Sequence, residues 1–151
     1  MKPIPVPTDE VMRELGRRLA AALRGGDLVV LSGPLGAGKT TLTQGLGDGL
    51  KVRGPITSPT FVIARVHPSL AGGPALVHVD AYRLGGLDEV DDLDLDLQDA
   101  VTVVEWGEGM VEELSEDRLE VTIERGDTEE RTVRITGVGA RWADSPVDHL
   151  L

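Results

Sequence analysis

The spacing of apolar positions along the chain predicts a helix near the N-terminus. This helix follows Thr8, a residue suited to an N-cap, and ends before the Gly25-Gly26 pair. Its apolar positions recur at helical spacing and are Val11, Leu15, Leu19 and Leu23. The arginines on or near the same segment then fall on a solvated face, with a partner contact as the alternative.

Short apolar runs further along the chain predict the strands of a sheet. Two of them, LVVLS at 28–32 and TVVEW at 102–106, have the continuous apolar character of buried strands. The others lie at 61–66 and 75–80. A second helix is predicted over 41–50, ending near Gly47 or Gly49.

The C-terminal part of the sequence predicts a β-hairpin. Residues 119–125 and 131–136 alternate between apolar and polar positions and flank the turn sequence GDTEE. Residues 137–151 show no periodicity and are expected to form an irregular tail. The prediction is a single α/β domain over 1–151, with a mainly parallel central sheet flanked by helices and this antiparallel hairpin.

Composition narrows the possible functions. The 151 residues include no cysteine, which excludes disulfides and thiolate chemistry and fits a cytoplasmic protein. No apolar run is long enough to span a membrane, and the N-terminal residues lack a signal-peptide pattern, so no membrane partner is expected. The formal net charge of −11 repels a phosphate backbone on average. An anionic ligand therefore needs a local binding device.

The stretch GPLGAGKTT at 33–41 provides such a device. Gly33, Gly38, Lys39 and Thr40 match the pattern G-x-x-x-x-G-K-[ST], between a predicted strand and a predicted helix. Glycines let successive backbone N–H groups point at phosphate oxygens, and the helix N-terminus adds partial positive charge. The lysine reaches the β- and γ-phosphates, and the threonine hydroxyl can ligate Mg²⁺. We expect the exposed lysine of this loop to bind ATP rather than to support the fold.

Two acids occupy the ends of predicted strands. Asp80 follows LVHV and Glu105 follows TVV. Because ligands of open α/β sheets bind at the carboxyl ends of strands, both carboxylates can face the phosphate loop. One of them can hold Mg²⁺ while the other orients water, and the sequence leaves open which does which. The alternative is that each acid only marks the turn of a strand into solvent.

A segment rich in hydroxyl groups follows the second predicted helix. TSPTF at 57–61 offers Thr57, Ser58 and Thr60 as residues that sense the γ-phosphate, and an ordinary turn is the alternative. The histidines carry no metal-ligand spacing. His78 is expected to be a semi-buried structural residue, while His67 and His149 are expected at the surface.

Four motifs together resemble one family. GPLGAGKTTLTQGL, GPITSPTFVIARV, HVDAYRL and VVEWGE occur in this order between residues 8 and 136, and the combination is similar to the TsaE (YjeE) family of bacteria. That family supplies the ATPase of tRNA threonylcarbamoyladenosine biosynthesis. The resemblance implies a P-loop NTPase fold and a cytoplasmic, Mg-dependent ATPase that is slow in isolation. It also implies two paralogous partner subunits that perform the threonylcarbamoyl transfer, so that tRNA is contacted only through them.

The resemblance also assigns roles to residues. It implies Lys39, Asp80 and Glu105 as catalytic residues, with Thr40 joining the two acids as metal ligands. Residues implied to contact the nucleotide are Gly33, Leu35, Gly36, Ala37, Gly38, Lys39, Thr40, Thr41, Thr60 and Trp106. Tyr82 and Arg83 fall at motif positions without a defined role. Pro34 departs from the family pattern, which often has an acid there.

Two other functions share the phosphate loop. A small-metabolite kinase needs an arginine-rich lid, whereas most arginines after residue 84 fall in the predicted hairpin. A nucleotide-gated interaction module would bind ATP without useful hydrolysis. The two acids distinguish this module from an ATPase, because only an ATPase needs both of them at Mg²⁺ or its waters.

Overall fold

The protein has an α/β fold built on one seven-stranded sheet. The computed structural model describes residues 4–33, 38–52, 54, 56, 64–80, 100–105, 117–125 and 130–143. Their elements, in chain order, are β1 (Ile4–Val6), α1 (Asp9–Ala20), β2 (Leu28–Ser32), α2 (Lys39–Leu50), β3 (Ala64–His67), β4 (Ala75–Asp80), β5 (Ala100–Glu105), β6 (Arg118–Arg125), β7 (Arg131–Val138) and α3 (Ala140–Ala143).

The sheet has the strand order β1-β7-β6-β2-β5-β4-β3. The central strands pair in parallel, β2 with β5 and β6, and β4 with β5. The outer pairs, β1 with β7, β6 with β7 and β3 with β4, are antiparallel. The α/β class, the parallel centre and the C-terminal antiparallel hairpin are as expected, and the sheet as a whole is mixed, because antiparallel pairing extends it on both sides of the parallel centre.

One face of the sheet carries the main core. Side chains alternate along each strand, so Val29, Leu31, Val103 and Val121 point to one face, where they join the core cluster that also contains residues of α1 and α2. The alternate residues of the same strands, such as Val30 and Val104, are also buried. Burial on both faces explains why the central strands have continuous apolar sequences.

Helix α1 begins where the sequence predicts. Thr8 is extended, and its hydroxyl accepts a hydrogen bond from the Val11 backbone N–H at 3.2 Å, which confirms the N-cap. Three of the four predicted apolar positions, Leu15, Leu19 and Leu23, are buried, but the first is not. Val11 is 39% exposed, whereas Met12 is fully buried together with Leu19. The expectation that Val11 belongs to the apolar face is wrong.

Two predictions about individual segments are also wrong, and a third is confirmed. Residues 137–143 are ordered as the end of β7 and the short helix α3, which buries Trp142, so the irregular tail does not begin at 137. Helix α2 ends at Leu50, close to Gly49 as predicted, and Lys51 adopts a left-handed C-cap conformation. His67 is buried rather than at the surface, and His149 lies outside the described residues.

Helices α1 and α2 approach each other through glycines. A Cβ atom at Gly45 of α2 would clash with the backbone oxygen of Arg13 in α1, and one at Gly16 of α1 would clash with the backbone oxygen of Leu42 in α2. Both obstacles are backbone atoms, which cannot rotate away. The two glycines therefore set the distance between the helices and, with it, the position of α2 against the sheet.

Gly45→Ala is expected to destabilise the fold by about 2 kcal/mol or more, because overpacking between rigid backbones outweighs the roughly 1 kcal/mol that alanine gains in helix propensity. Thermal unfolding should show a melting temperature lower by roughly 4–8 °C. Gly73→Ala is the control, since its Cβ would meet Ser69 Oγ at an ordinary 3.7 Å. Equal melting temperatures for the two variants would contradict the close helix approach.

Candidate functional site

The glycine-rich loop joins β2 to α2 at the carboxyl end of the central strand. Gly33 follows directly after β2, and Gly38 precedes α2 with a φ of 108°, a left-handed conformation that favours glycine. The Gly38 carbonyl accepts the first helical hydrogen bond, from the Leu42 N–H at 2.9 Å. The strand–loop–helix context that the sequence pattern requires is thus present.

Lys39 bends back over this loop. Its Nζ donates a hydrogen bond to the Gly33 carbonyl oxygen at 2.9 Å, and the residue is only 7% exposed. The expectation of an exposed lysine is therefore wrong. The hydrogen bond links the residues on either side of the loop, and it keeps the ammonium group at the Gly33 end of the segment predicted to bind phosphates.

The first turn of α2 presents hydroxyl groups and no acid. Thr40 and Thr41 occupy this turn, both half-buried, and the helix has no acidic residue there. The first N–H groups of a helix lack intrahelical partners and carry partial positive charge. The end of α2 at the loop is therefore electrostatically suited to an anion, despite the net charge of the chain.

The two predicted acids lie side by side at the same edge of the sheet. In the β2–β5 pairing Glu105 is the register partner of Leu31, and in the β4–β5 pairing it is the partner of Asp80. Adjacent strands lie about 4.8 Å apart, so the backbone of Asp80 is roughly two strand spacings from that of β2. The end of β2 and the backbones of Asp80 and Glu105 therefore lie at the same carboxyl edge of the sheet, which is where ligands of open α/β sheets bind.

Glu105 is buried beside a histidine. It is 5% exposed, and its Oε1 lies 3.4 Å from Nε2 of His78, a residue that is fully buried on β4. Among the described residues, Glu105 Oε1 and both ring nitrogens of His78 have no partner in hydrogen-bond geometry. The sequence suggested only a semi-buried structural histidine here. The pairing register between strands, which no local pattern reveals, places it next to the acid.

Arg131 is a second residue near the loop that the sequence reasoning missed. Its Cδ lies 3.8 Å from the position that a Cβ on Gly38 would take, and its Nη1 lies 3.3 Å from Asp9 Oδ1. The residue begins β7, the antiparallel partner of β6, whose carboxyl end is at the same edge as that of β2. The predicted hairpin could have indicated this position, because its second strand starts at the edge of the sheet where its first strand ends.

Several predicted site residues fall outside the described residues. They are Leu35, Gly36, Ala37, Thr57, Ser58, Thr60, Trp106, Pro34, Tyr82 and Arg83. The residue before the segment 57–61, Ile56, is described and is hydrogen-bonded to α2, however. Ile56 is buried, and its carbonyl accepts a hydrogen bond from Gln44 of α2 at 3.0 Å.

A groove of about 350 Å³ lies beside α1 and α2. Arg17, one of two arginines that line the groove, forms ion pairs with Glu10, Glu14 and Asp48 at 2.9–3.3 Å. The hydrogen bond from Arg17 lowers the pKa of the Glu14 carboxyl. These contacts favour the solvated-face interpretation of the α1 arginines. The groove is lined by Arg13, Arg17, Gln44, Gly47, Asp48, Val52, Gly54 and Ile56.

A divalent cation fits the residues at the sheet edge. Glu105 offers a buried carboxylate at the end of β5, and Thr40 adds a hydroxyl at the start of α2. Oxygen ligands of this type suit Mg²⁺, which needs only one or two carboxylates beside water and phosphate oxygens. The described residues contain no cluster of three or more ionisable ligands for an all-protein metal site.

The fold and the site edge define an α/β protein with a mixed sheet and a glycine-rich loop at its central strand. Its backbone is similar to the crystal structure of YdiB from Bacillus subtilis, with a TM-score of 0.75 and 31% identity over 99% of this chain and 90% of that chain. The family model described as "Threonylcarbamoyl adenosine biosynthesis protein TsaE" matches residues 6–133. The chain belongs to the TsaE family.

Relatives named "tRNA threonylcarbamoyladenosine biosynthesis protein TsaE" agree with this assignment. The protein from Streptomyces coelicolor is 71% identical over 92% of this chain and 99% of its own length. The one from Bacillus subtilis is 38% identical over 88% of this chain and 84% of its own. Within the described part of the chain, no helix is long and apolar enough to cross a membrane.

Proposed function

We propose that this chain is the ATP-binding and ATP-hydrolysing subunit of tRNA threonylcarbamoyladenosine biosynthesis. Family membership supports the pathway. The observation that supports the chemistry is the in-register alignment of Leu31, Glu105 and Asp80 at the edge where the Lys39 loop begins. A phosphate-binding loop and two acids at one edge are the parts that phosphoryl transfer to water requires.

The described residues have different roles in the proposed reaction, according to their charge and position. The loop N–H groups and Lys39 bind and orient the phosphates, which requires Lys39 Nζ to exchange the Gly33 carbonyl for a phosphate oxygen. Thr40 and the two acids are the residues that would hold Mg²⁺ or orient water. Bound Mg²⁺ neutralises negative charge on the phosphate oxygens. Burial of Glu105 keeps its carboxylate in a low-dielectric setting, where its electrostatic effect is strongest.

Two paralogous partner subunits complete the proposed assembly, and they carry out the threonylcarbamoyl transfer. The experiment that tests the proposal is a steady-state ATPase assay of the pure chain, alone and with the candidate partner subunits. Mg-dependent turnover above the background without enzyme is the expected result. Failure to bind and hydrolyse ATP in either condition would overturn the proposed function.

Partner subunits are expected to raise the rate of ATP hydrolysis. Near the loop, the described residues place Arg131, but its guanidinium binds Asp9 at 3.3 Å, so the γ-phosphate charge lacks a dedicated arginine among them. In other P-loop enzymes, an arginine supplied by a partner raises the rate of phosphoryl transfer about 10³–10⁵-fold. Turnover should therefore rise with partner concentration and saturate. Full activity without a partner, or no stimulation at saturation, would contradict the coupling.

The isolated chain is expected to bind tRNA weakly. It has 15 Lys and Arg against 26 Asp and Glu, and several arginines, including Arg17, Arg118 and Arg134, are paired with its own acids. Affinity for a phosphate backbone depends largely on cations that release counterions. Filter binding at about 50 and 200 mM salt should show no tight complex. A tight complex with a steep salt dependence would contradict contact only through partners.

A further inference from the structure

The buried pair of His78 and Glu105 points to a function for the histidine. We propose that His78 is a positioning residue whose Nε2–H donates to the Glu105 carboxylate and fixes its orientation toward the nucleotide-binding edge. This inference rests on the proposed function, because it assigns His78 a role toward the metal and water that Glu105 would serve.

The strand register makes the contact possible. His78 is the register partner of Val103, so Glu105 is its diagonal neighbour two residues further along β5. Diagonal neighbours on one face of a sheet are within reach when one side chain is long or aromatic. The distance of 3.4 Å between Nε2 and Oε1 is the result, only slightly longer than a formed hydrogen bond.

Burial explains why the pair is more than a chance contact. His78 is fully buried, and Glu105 is 5% exposed. Polar groups at such positions are costly unless they bond to each other or to a ligand. Nε2 of His78 and Oε1 of Glu105 lie 3.4 Å apart, yet the hydrogen-bond geometry is incomplete. Catalytic hydrogen bonds are often long before the ligand binds and tighten afterwards.

The proposed role follows from the freedom of a glutamate side chain. Its carboxylate can turn about its last bond, and a donor on one oxygen leaves the other oxygen aimed in one direction. His78 comes from β4, two residues before Asp80, so one strand would hold both an acid and the donor that orients the neighbouring acid. Outer-sphere donors of this type typically change activity or metal affinity 10–100-fold when they are removed.

The test compares three substitutions that differ in the donor. His78→Gln keeps an N–H near the Nε2 position, His78→Asn keeps one that is too short to reach, and His78→Leu has none. We expect near-normal kcat for His78→Gln and a kcat about 10-fold or more lower for the other two, with KM for ATP within about 2-fold. In a Glu105→Gln background, His78→Leu should add little further loss.

Two readouts do not depend on turnover. In a titration of Mg²⁺ followed by binding of a fluorescent ATP analogue, His78→Asn and His78→Leu should raise the Mg²⁺ concentration at half-saturation about 10-fold if Glu105 holds the metal, and metal-free nucleotide binding should be unchanged. If Glu105 orients water, the Mg²⁺ concentration at half-saturation should stay the same and only kcat should fall. In ¹⁵N–¹H spectra of the ligand-free protein, which has only three histidines, Nε2 of His78 should carry a proton whose resonance moves in Glu105→Gln.

Each outcome decides the proposal. An equal loss of kcat in all three variants with unchanged Mg²⁺ dependence, or no loss of kcat in any of them, would overturn the positioning role. Melting temperatures identify a variant that fails to fold. An unprotonated Nε2 would overturn it directly. Absence of ATP binding by the unmodified chain would instead overturn the proposed function, while the spectra of the ligand-free protein would still test the pair.

Discussion

Lys39→Ala is expected to abolish ATP turnover while the protein stays folded. The substitution removes the one cation that the loop itself carries, and with it the group that neutralises the β- and γ-phosphates. The cost to folding is small, because Lys39 Nζ makes a hydrogen bond to the Gly33 carbonyl, a contact with a net contribution of about 1 kcal/mol. ATPase assays and thermal unfolding on the same sample measure the two effects.

Lys51→Ala is the matched control for this experiment. Lys51 is the exposed C-cap of the same helix, so its substitution removes the same charge from the far end of α2. The control should turn over ATP at the parent rate. If Lys39→Ala also hydrolyses ATP at the parent rate, the assignment of the loop as the phosphate site is wrong.

Glu105→Gln and Asp80→Ala are expected to lower ATP hydrolysis by about 10²-fold or more each, the usual scale for a positioned acid or base. Gln keeps the size of the buried Glu105 side chain, so packing against the sheet is maintained. Higher Mg²⁺ should partly restore the variant whose acid binds the metal, and it should not restore the variant whose acid orients water. This difference assigns the two roles that the sequence leaves open.

Glu124→Gln supplies the control for the acids. Glu124 lies on β6, is exposed, and forms an ion pair with Arg134. Its side chain alternates with the core residues Val121 and Ile123, so the substitution changes charge on the opposite face of the sheet from Glu105. It should leave kcat unchanged. If Glu105→Gln and Asp80→Ala also leave kcat unchanged, both acids are structural, and a binding module without useful hydrolysis becomes the better description.

Local patterns predicted the elements that local physics determines. The apolar run of β2, the glycine loop and the Thr8 cap are each encoded within a few residues, and each is where the sequence placed it. One position of the buried face of α1 was misassigned, because steps of four residues exceed the 3.6-residue turn. From Val11 to Leu19 such a stripe drifts by about 80°, and Met12 rather than Val11 takes the core position.

Features that depend on distant segments could not be predicted in this way. The strand β1 has three residues, one of them Pro5, and it exists only because β7 pairs with it. The contact of His78 with Glu105 depends on the register between β4 and β5. Burial of Lys39 depends on how the loop closes on Gly33. None of these has a signal within a short window of sequence.

The strand order has a consequence for the growing polypeptide. Strand β2, which leads into the loop, pairs only with β5 and β6, and both are encoded at least 68 residues later in the chain. A ribosome-bound fragment that ends before Ala100 thus contains the whole glycine-rich motif but neither neighbour of the strand that presents it. Nascent chains should therefore become able to retain ATP only after β6 has left the ribosome, so nucleotide capture would mark completion of the domain.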